Sequence, residues 1–189
     1  MEREEFITVL GGVFEDSPWV AGGAWCERPF ADTADLHGTM CRIVARANID
    51  SRRSLIRAHP DLAGKAAVAG ELTEASAREQ AGVGLDRMTQ EEFERFHRLN
   101  DAYRTRFGFP FIIAVRGHTR DSILTSFEAR LGNSSDAEEC EALRQIERIA
   151  WFRLDDLTTT DLAVEDRSPG DRTTKGRQPQ NPDPPRSFA

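Results

Sequence analysis

The strongest constraint on this chain is one uninterrupted apolar run, Phe109-Pro110-Phe111-Ile112-Ile113-Ala114-Val115, between Gly108 and Gly117. Elsewhere the apolar residues recur at helical spacing. A buried strand needs a neighbour, and no sustained apolar–polar alternation supplies one. Pro110 also turns Phe109 away from helix. The run therefore reads as a lone buried extended segment, whose backbone N–H and C=O groups need unusual partners.

The flanking patterns are helical. After Asp32, the residues Leu36, Met40, Ile43, Val44 and Ala47 fall on one face. Thr89 followed by Glu92 has the spacing of a capping box, with Met88 and Phe93 placed as a hydrophobic staple. Phe93, Phe96, Tyr103 and Phe107 continue that helix until Gly108 stops it. A last helix from Ser135 to Thr158 carries Leu143, Ile146, Ala150, Arg153 and Leu157 at alternating three and four spacing, so an arginine interrupts an apolar stripe. Gly11-Gly12 and Gly22-Gly23 read as local breakers, without the flanking pattern of a phosphate loop. These patterns predict an all-α fold, a single compact domain of about seven to nine helices over residues 1–160. After Val164 only Phe188 and Ala189 are apolar, and five of the nine prolines lie at Pro169 and beyond, which predicts a disordered proline-rich tail over 161–189.

Charge and cysteine usage narrow the function. A net charge of -7 disfavours nucleic-acid and anionic-membrane partners. No apolar run approaches the roughly 20 residues of a membrane span. The acidic start Met1-Glu2-Arg3-Glu4-Glu5 is unlike a signal peptide, and Ser187-Phe188-Ala189 is unlike a peroxisomal address. Cys26, Cys41 and Cys140 form neither a disulfide framework nor a CxxC. A cytoplasmic location is expected.

Two stretches concentrate candidate chemistry. His59 follows Leu55 and Ile56 and precedes Pro60, so its ring is held at a helix end, where it serves either as an acid/base group or only as a partner for carbonyls. Ser76, Glu79 and Gln80 share one helix face, which is either a solvated surface or a hydroxyl, carboxylate and amide set suited to a substrate rich in N–H and C=O groups. Arg153, on its apolar stripe, either forms a structural ion pair or meets an anionic or carbonyl-rich substrate. His37, His59, His97 and His118 lack the clustered spacing of metal ligands, so no metal is expected. Cys41 reads as core, and nothing resembles a covalent nucleophile.

His59-Pro60-Asp61-Leu62-Ala63, Ser76-Ala77-Arg78-Glu79-Gln80, Ala81-Gly82-Val83-Gly84-Leu85-Asp86, Phe107 through Ile113 and Arg153-Leu154-Asp155-Asp156-Leu157, in this order and spacing, resemble the OHCU decarboxylase family. Its members turn 2-oxo-4-hydroxy-4-carboxy-5-ureidoimidazoline (OHCU) into (S)-allantoin. Ser17-Pro18-Trp19-Val20 and Ala24-Trp25 extend the resemblance to about residues 1–158. It implies an all-helical homodimer without metal or organic cofactor, acting on a small ureidoimidazoline in purine breakdown. His59 would be catalytic. Pro60, Ser76, Glu79, Gln80 and Arg153 would line the site, and backbone groups of Phe111, Ile112, Ile113, Ala114 and Val115 would hydrogen-bond the substrate. Trp151 is larger than the family pattern suggests at its position. A non-catalytic helical interaction domain and a metal-assisted amidohydrolase of purine catabolism are the competing readings.

Overall fold

Side-chain caps start most of the helices. The computed structural model describes residues 1–64 and 70–165, the last six as backbone. Among these residues there are eight helices and no strand: α1 (Arg3–Leu10), α2 (Pro18–Trp25), α3 (Thr33–Arg46), α4 (Ile49–Ala58), α5 (Glu74–Gly82), α6 (Gln90–Phe107), α7 (Arg120–Arg130) and α8 (Ser135–Glu165). Asp32, Asn48, Thr73, Thr89 and Thr119 each accept a backbone N–H from the first turn of the helix that follows, a contribution of about 1 kcal/mol apiece. The Thr89–Glu92 capping box forms as the sequence predicts, and Gly108 ends α6 in the left-handed conformation at φ 75°. Helix α8 runs past the expected boundary at residue 160 to Glu165, while the remainder of the expected tail, 166–189, lies outside the described residues.

Helix α8 packs against α3 and α4, α1 packs on α2, and α2 on α3. Its inward face carries Ala142, Ile146, Ile149, Ala150 and Leu154, a wider stripe than the sequence pattern suggested. Leu157 lies outside it, 37% exposed. Gly22-Gly23 is not a breaker: both residues sit inside α2. A methyl group on Gly23 would come within 3.1 Å of Ile43 Cδ1, so the small residue lets α2 and α3 approach closely. Trp151 takes a half-exposed place with its ring edge-on to His37, so its size is absorbed at the surface. Cys41 lies at the edge of the core, and burial pushes its thiol up to about 12. That leaves it protonated and unreactive at neutral pH.

The segment 109–115 is the lone buried extended strip that the sequence predicts, with every side chain from Phe111 to Val115 buried. Polar side chains serve part of its backbone. Arg130 Nη1 donates to the Ile112 carbonyl at 2.7 Å, the Gln145 amide oxygen accepts the Ala114 N–H at 3.0 Å, and the Val115 carbonyl accepts the His118 N–H at 2.9 Å. Arg130 is itself fixed by Glu138, a fully buried carboxylate that also accepts from the Tyr103 hydroxyl and from Asn133 Nδ2 at 2.6 Å. Burial, reinforced by Glu138, raises the Tyr103 hydroxyl above its usual range and keeps it a donor. Phe111 stacks on Phe127 at 3.8 Å between centroids, with Tyr103 edge-on to both. Each such buried aromatic contributes about 1.5 to 3 kcal/mol.

Removing Glu138 would strand a buried guanidinium and a buried phenol together. Glu138→Leu is expected to lower unfolding stability by about 3 to 5 kcal/mol, measured by urea denaturation. A loss below about 1 kcal/mol, within the range of an ordinary surface change, would show that this cluster does not anchor the strip.

Candidate active site

Four pieces of chain bring the sequence-singled residues together. Helix α4 ends at His59, whose extended ψ of 138° and following proline aim the ring inward. Helix α5 presents Ser76, Glu79 and Gln80, α8 presents Arg153, and the extended strip closes the remaining side. A small cavity is lined by His59, Pro60, Ser76, Glu79, Gln80, Phe111, Ile112, Ile113, Val115 and Arg153, with Leu62 and Ile149 added. Ala114 does not reach it. Its N–H is taken by Gln145, and the residue lines a neighbouring, larger cavity that shares Glu79, Val115, Ile149 and Arg153 with the first. His37, His97 and His118 sit elsewhere, against the Glu147 carbonyl, the Phe93 ring and the Ser122 hydroxyl respectively.

His59 is buried, and its Nδ1 lies 3.0 Å from the Leu55 carbonyl. A carbonyl only accepts, so Nδ1 carries the proton. The Nε2 atom is buried and has no partner among the described residues. Burial lowers the ring below its ordinary histidine value, with Glu15 acting in the opposite sense. At neutral pH the imidazole is uncharged and offers an Nε2 lone pair.

The backbone of the strip divides in two. The Ile112 carbonyl and the Ala114 N–H have side-chain partners, whereas the N–H and C=O of Ile113 meet none among the described residues. Gln80 is also partly engaged: its amide oxygen accepts the Ala63 N–H at 2.9 Å and its Nε2 reaches the Asp61 carbonyl at 3.4 Å. It thereby holds the turn after Pro60, where Ala63 sits at φ 50°. Asn100 Nδ2 and Arg104 Nε steady the same turn through the Leu62 carbonyl and the Asp61 carboxylate.

Of the two readings of Arg153, the structure shows the partners of the ion pair. Its Nε donates to Glu79 Oε1 at 2.7 Å and its Nη2 to Glu79 Oε2 at 3.0 Å and Ser76 Oγ at 3.1 Å. Its Nη1 meets Glu15 Oε2 at 2.7 Å and the Gly12 carbonyl at 3.1 Å. Four of these contacts are hydrogen bonds and the one to Glu15 is an ion pair, so every nitrogen of the guanidinium is engaged. Burial works against its charge, and Glu79 and then Glu15 more than offset that, so its proton is held above the usual arginine range. Burial likewise pushes the Glu15 carboxyl up, and Arg153 outweighs it and holds the carboxyl below its ordinary value.

Glu15 is the residue that sequence reasoning missed. It is 3% exposed in the turn between α1 and α2. A signal existed, since a carboxylate flanked by Val13-Phe14 and the Ser17-Pro18 helix start has an apolar setting. Nothing in the local pattern tied it to Arg153, 138 positions away.

The family model described as OHCU decarboxylase matches residues 1–155. A 2-oxo-4-hydroxy-4-carboxy-5-ureidoimidazoline decarboxylase of Halalkalicoccus jeotgali is 40% identical over 157 residues, 83% of this chain and 87% of that protein. The uric acid degradation bifunctional protein PucL of Bacillus subtilis is 40% identical over 159 residues, 84% of this chain and 31% of that protein. A crystal structure of (S)-allantoin synthase superposes with a TM-score of 0.67 at 31% identity, covering 83% of this chain and 51% of that one. With the match spanning all eight helices but the end of the last, and identities of this order over most of the chain, the protein belongs to the OHCU decarboxylase family.

Proposed function

We propose that this protein decarboxylates OHCU to (S)-allantoin in urate degradation, with His59 moving the proton. The observation that carries this reading is the buried Nε2 of His59, unpartnered and facing a cavity edged by a carboxylate, an amide and free peptide groups. The family relationship supplies the substrate.

In that substrate C4 bears a hydroxyl and a carboxylate, beside a C5=N imine that can accept electrons. The electron pair of the breaking C–COO⁻ bond forms a C4=C5 double bond, and the imine pair moves to nitrogen, which takes a proton from solvent. No cofactor sink is required. The C4 hydroxyl proton passes to His59 Nε2 and returns to C5 as the enol becomes a carbonyl. Because the ring stands on one side of the cavity, C5 receives the proton on one face. Nδ1–H bonded to Leu55 fixes the tautomer that makes Nε2 a base first and an acid second.

The remaining residues orient. Glu79, locked by two bonds to Arg153, accepts ureido or ring N–H groups, and the second N–H of Gln80 and the free peptide groups of Ile113 read the ring edges. Ser76 and Arg153 hold Glu79 in place, and Pro60 fixes the exit of the His59 backbone. The same reading takes the enzyme as a cytoplasmic homodimer that uses neither metal nor organic cofactor. Sedimentation of the purified protein checks the dimer.

With OHCU generated freshly from urate, circular dichroism separates enzymatic (S)-allantoin from the racemate of spontaneous decay. His59→Asn should lose about 10² to 10⁴ in rate while far-UV helicity is retained, and a loss under threefold would remove His59 from the mechanism. Because burial lowers the folded His59 below 6.5, kcat/KM should stay level above that pH and fall on the acid side of it. The folded state binds fewer protons than the unfolded chain in this window, so stability is full above 6.5 and declines as pH falls toward the lowered value. An acid limb above 6.5 would contradict the assignment.

Arg153→Met tests the role of the guanidinium. The buried Glu15 and the partly buried Glu79 lose their counter-charge, so unfolding stability should drop by about 3 to 5 kcal/mol, with turnover falling as Glu79 loses its hold. An unaltered denaturation midpoint with abolished turnover would instead mark Arg153 as a direct substrate ligand.

A further inference from the structure

We propose that Glu15, although it lines no part of the cavity, is a positioning residue of the decarboxylase site that also balances the charge His59 acquires in the reaction. The inference rests on the decarboxylase reading. Glu15 Oε1 accepts from Thr73 Oγ1 at 3.0 Å and from Ser76 Oγ at 3.1 Å, while Oε2 takes the Nη1 arm of Arg153 at 2.7 Å. Thr73 is the N-cap of α5, so one carboxylate fixes the start of the helix that carries Ser76, Glu79 and Gln80. It also fixes the guanidinium that clamps Glu79.

Its backbone stands at φ 48°, a left-handed conformation that disfavours a side-chain-bearing residue. Such strain persists where surrounding contacts over-determine it, and it collects at functional sites. A carboxylate needed only to neutralise Arg153 has no reason to accept this cost, because Glu79 already pairs with that guanidinium through two bonds.

The second carboxylate leaves two acids against one guanidinium beside a neutral histidine. When Nε2 takes the hydroxyl proton, a positive charge appears in a buried place, and burial alone opposes it strongly. Glu15 and Asp16 of the α1–α2 turn favour that imidazolium and Arg153 of α8 opposes it, with Glu79 of α5 on the same cavity wall. Glu15 is the largest favourable charge on His59.

The test is Glu15→Gln, which keeps an oxygen for Ser76 and Thr73 and removes the charge, compared with wild type in the OHCU assay across pH. The expected result is a plateau rate at least tenfold lower and an acid limb of kcat/KM displaced to lower pH by half a unit or more. Glu15→Asp, which restores the charge, should return the limb to its wild-type position with kcat still reduced. A purely structural Glu15 would lower the amount of active protein and leave the limb in place. A folded Glu15→Gln enzyme with an unmoved limb therefore overturns the proposal. If Glu15→Gln fails to fold, Glu15→Asp decides alone, because its shorter arm cannot seat Ser76 and Arg153 together: kcat reduced tenfold or more with an unmoved limb supports the proposal, and wild-type kcat overturns it. Absence of stereospecific turnover by the wild type would overturn the decarboxylase reading and this inference with it. Normal wild-type turnover with an indifferent Glu15 would overturn this inference alone.

Discussion

The Arg153 guanidinium joins the α1–α2 turn and α5 to α8. Its acceptors are Gly12 and Glu15 of the α1–α2 turn and Ser76 and Glu79 of α5, all reached from α8. A buried cation with five N–H groups is tolerable only when each is met, so its presence dictates where those segments stand. Once they are placed, Ser76, Glu79 and Gln80 face inward, and the polar side of α5 becomes a cavity wall. Helix propensity alone would leave that face to solvent.

A second buried charge does the corresponding work on the opposite wall. The strip 109–115 has no neighbouring strand among the described residues, and side chains take the place of a ladder. Arg130, held by Glu138, and Gln145, held by Glu141, cap two of its peptide groups from outside the cavity. The Ile113 groups are among those that meet no partner among the described residues, and the strip is both core and cavity wall. Irregular backbone can be buried when some of its polar groups are reserved for a polar ligand.

The division of labour follows from these constraints. Among the described residues, the group with an unpartnered, basic, buried atom is His59, neutral because it is dry and oriented because the Leu55 carbonyl accepts from its other nitrogen. Glu79, on the same cavity wall, is held by two hydrogen bonds from Arg153. A reaction whose substrate carries its own electron sink asks for little more than a proton carrier and a rigid frame.

Much of this was legible in the chain itself. The capping box at Thr89, the stop at Gly108, the unpaired strip, the end of α4 at His59 and the shared face of Ser76, Glu79 and Gln80 are local matters of spacing and backbone chemistry, decided within a few residues. So was the exceptional status of Arg153, because an arginine on an apolar stripe must have partners. The identity of those partners was not legible. Gly22-Gly23 reads as a breaker until Ile43 is seen packed against it, Arg153 names no partner until Glu15 and Glu79 are seen around it, and Glu15 attracts no notice until Thr73, Ser76 and Arg153 converge on it. Sequence determines periodicity, caps and residue chemistry because those act over one or two turns of helix. Which buried charge meets which depends on contacts between residues as far apart as Glu15 and Arg153, and only the packed helices set those distances.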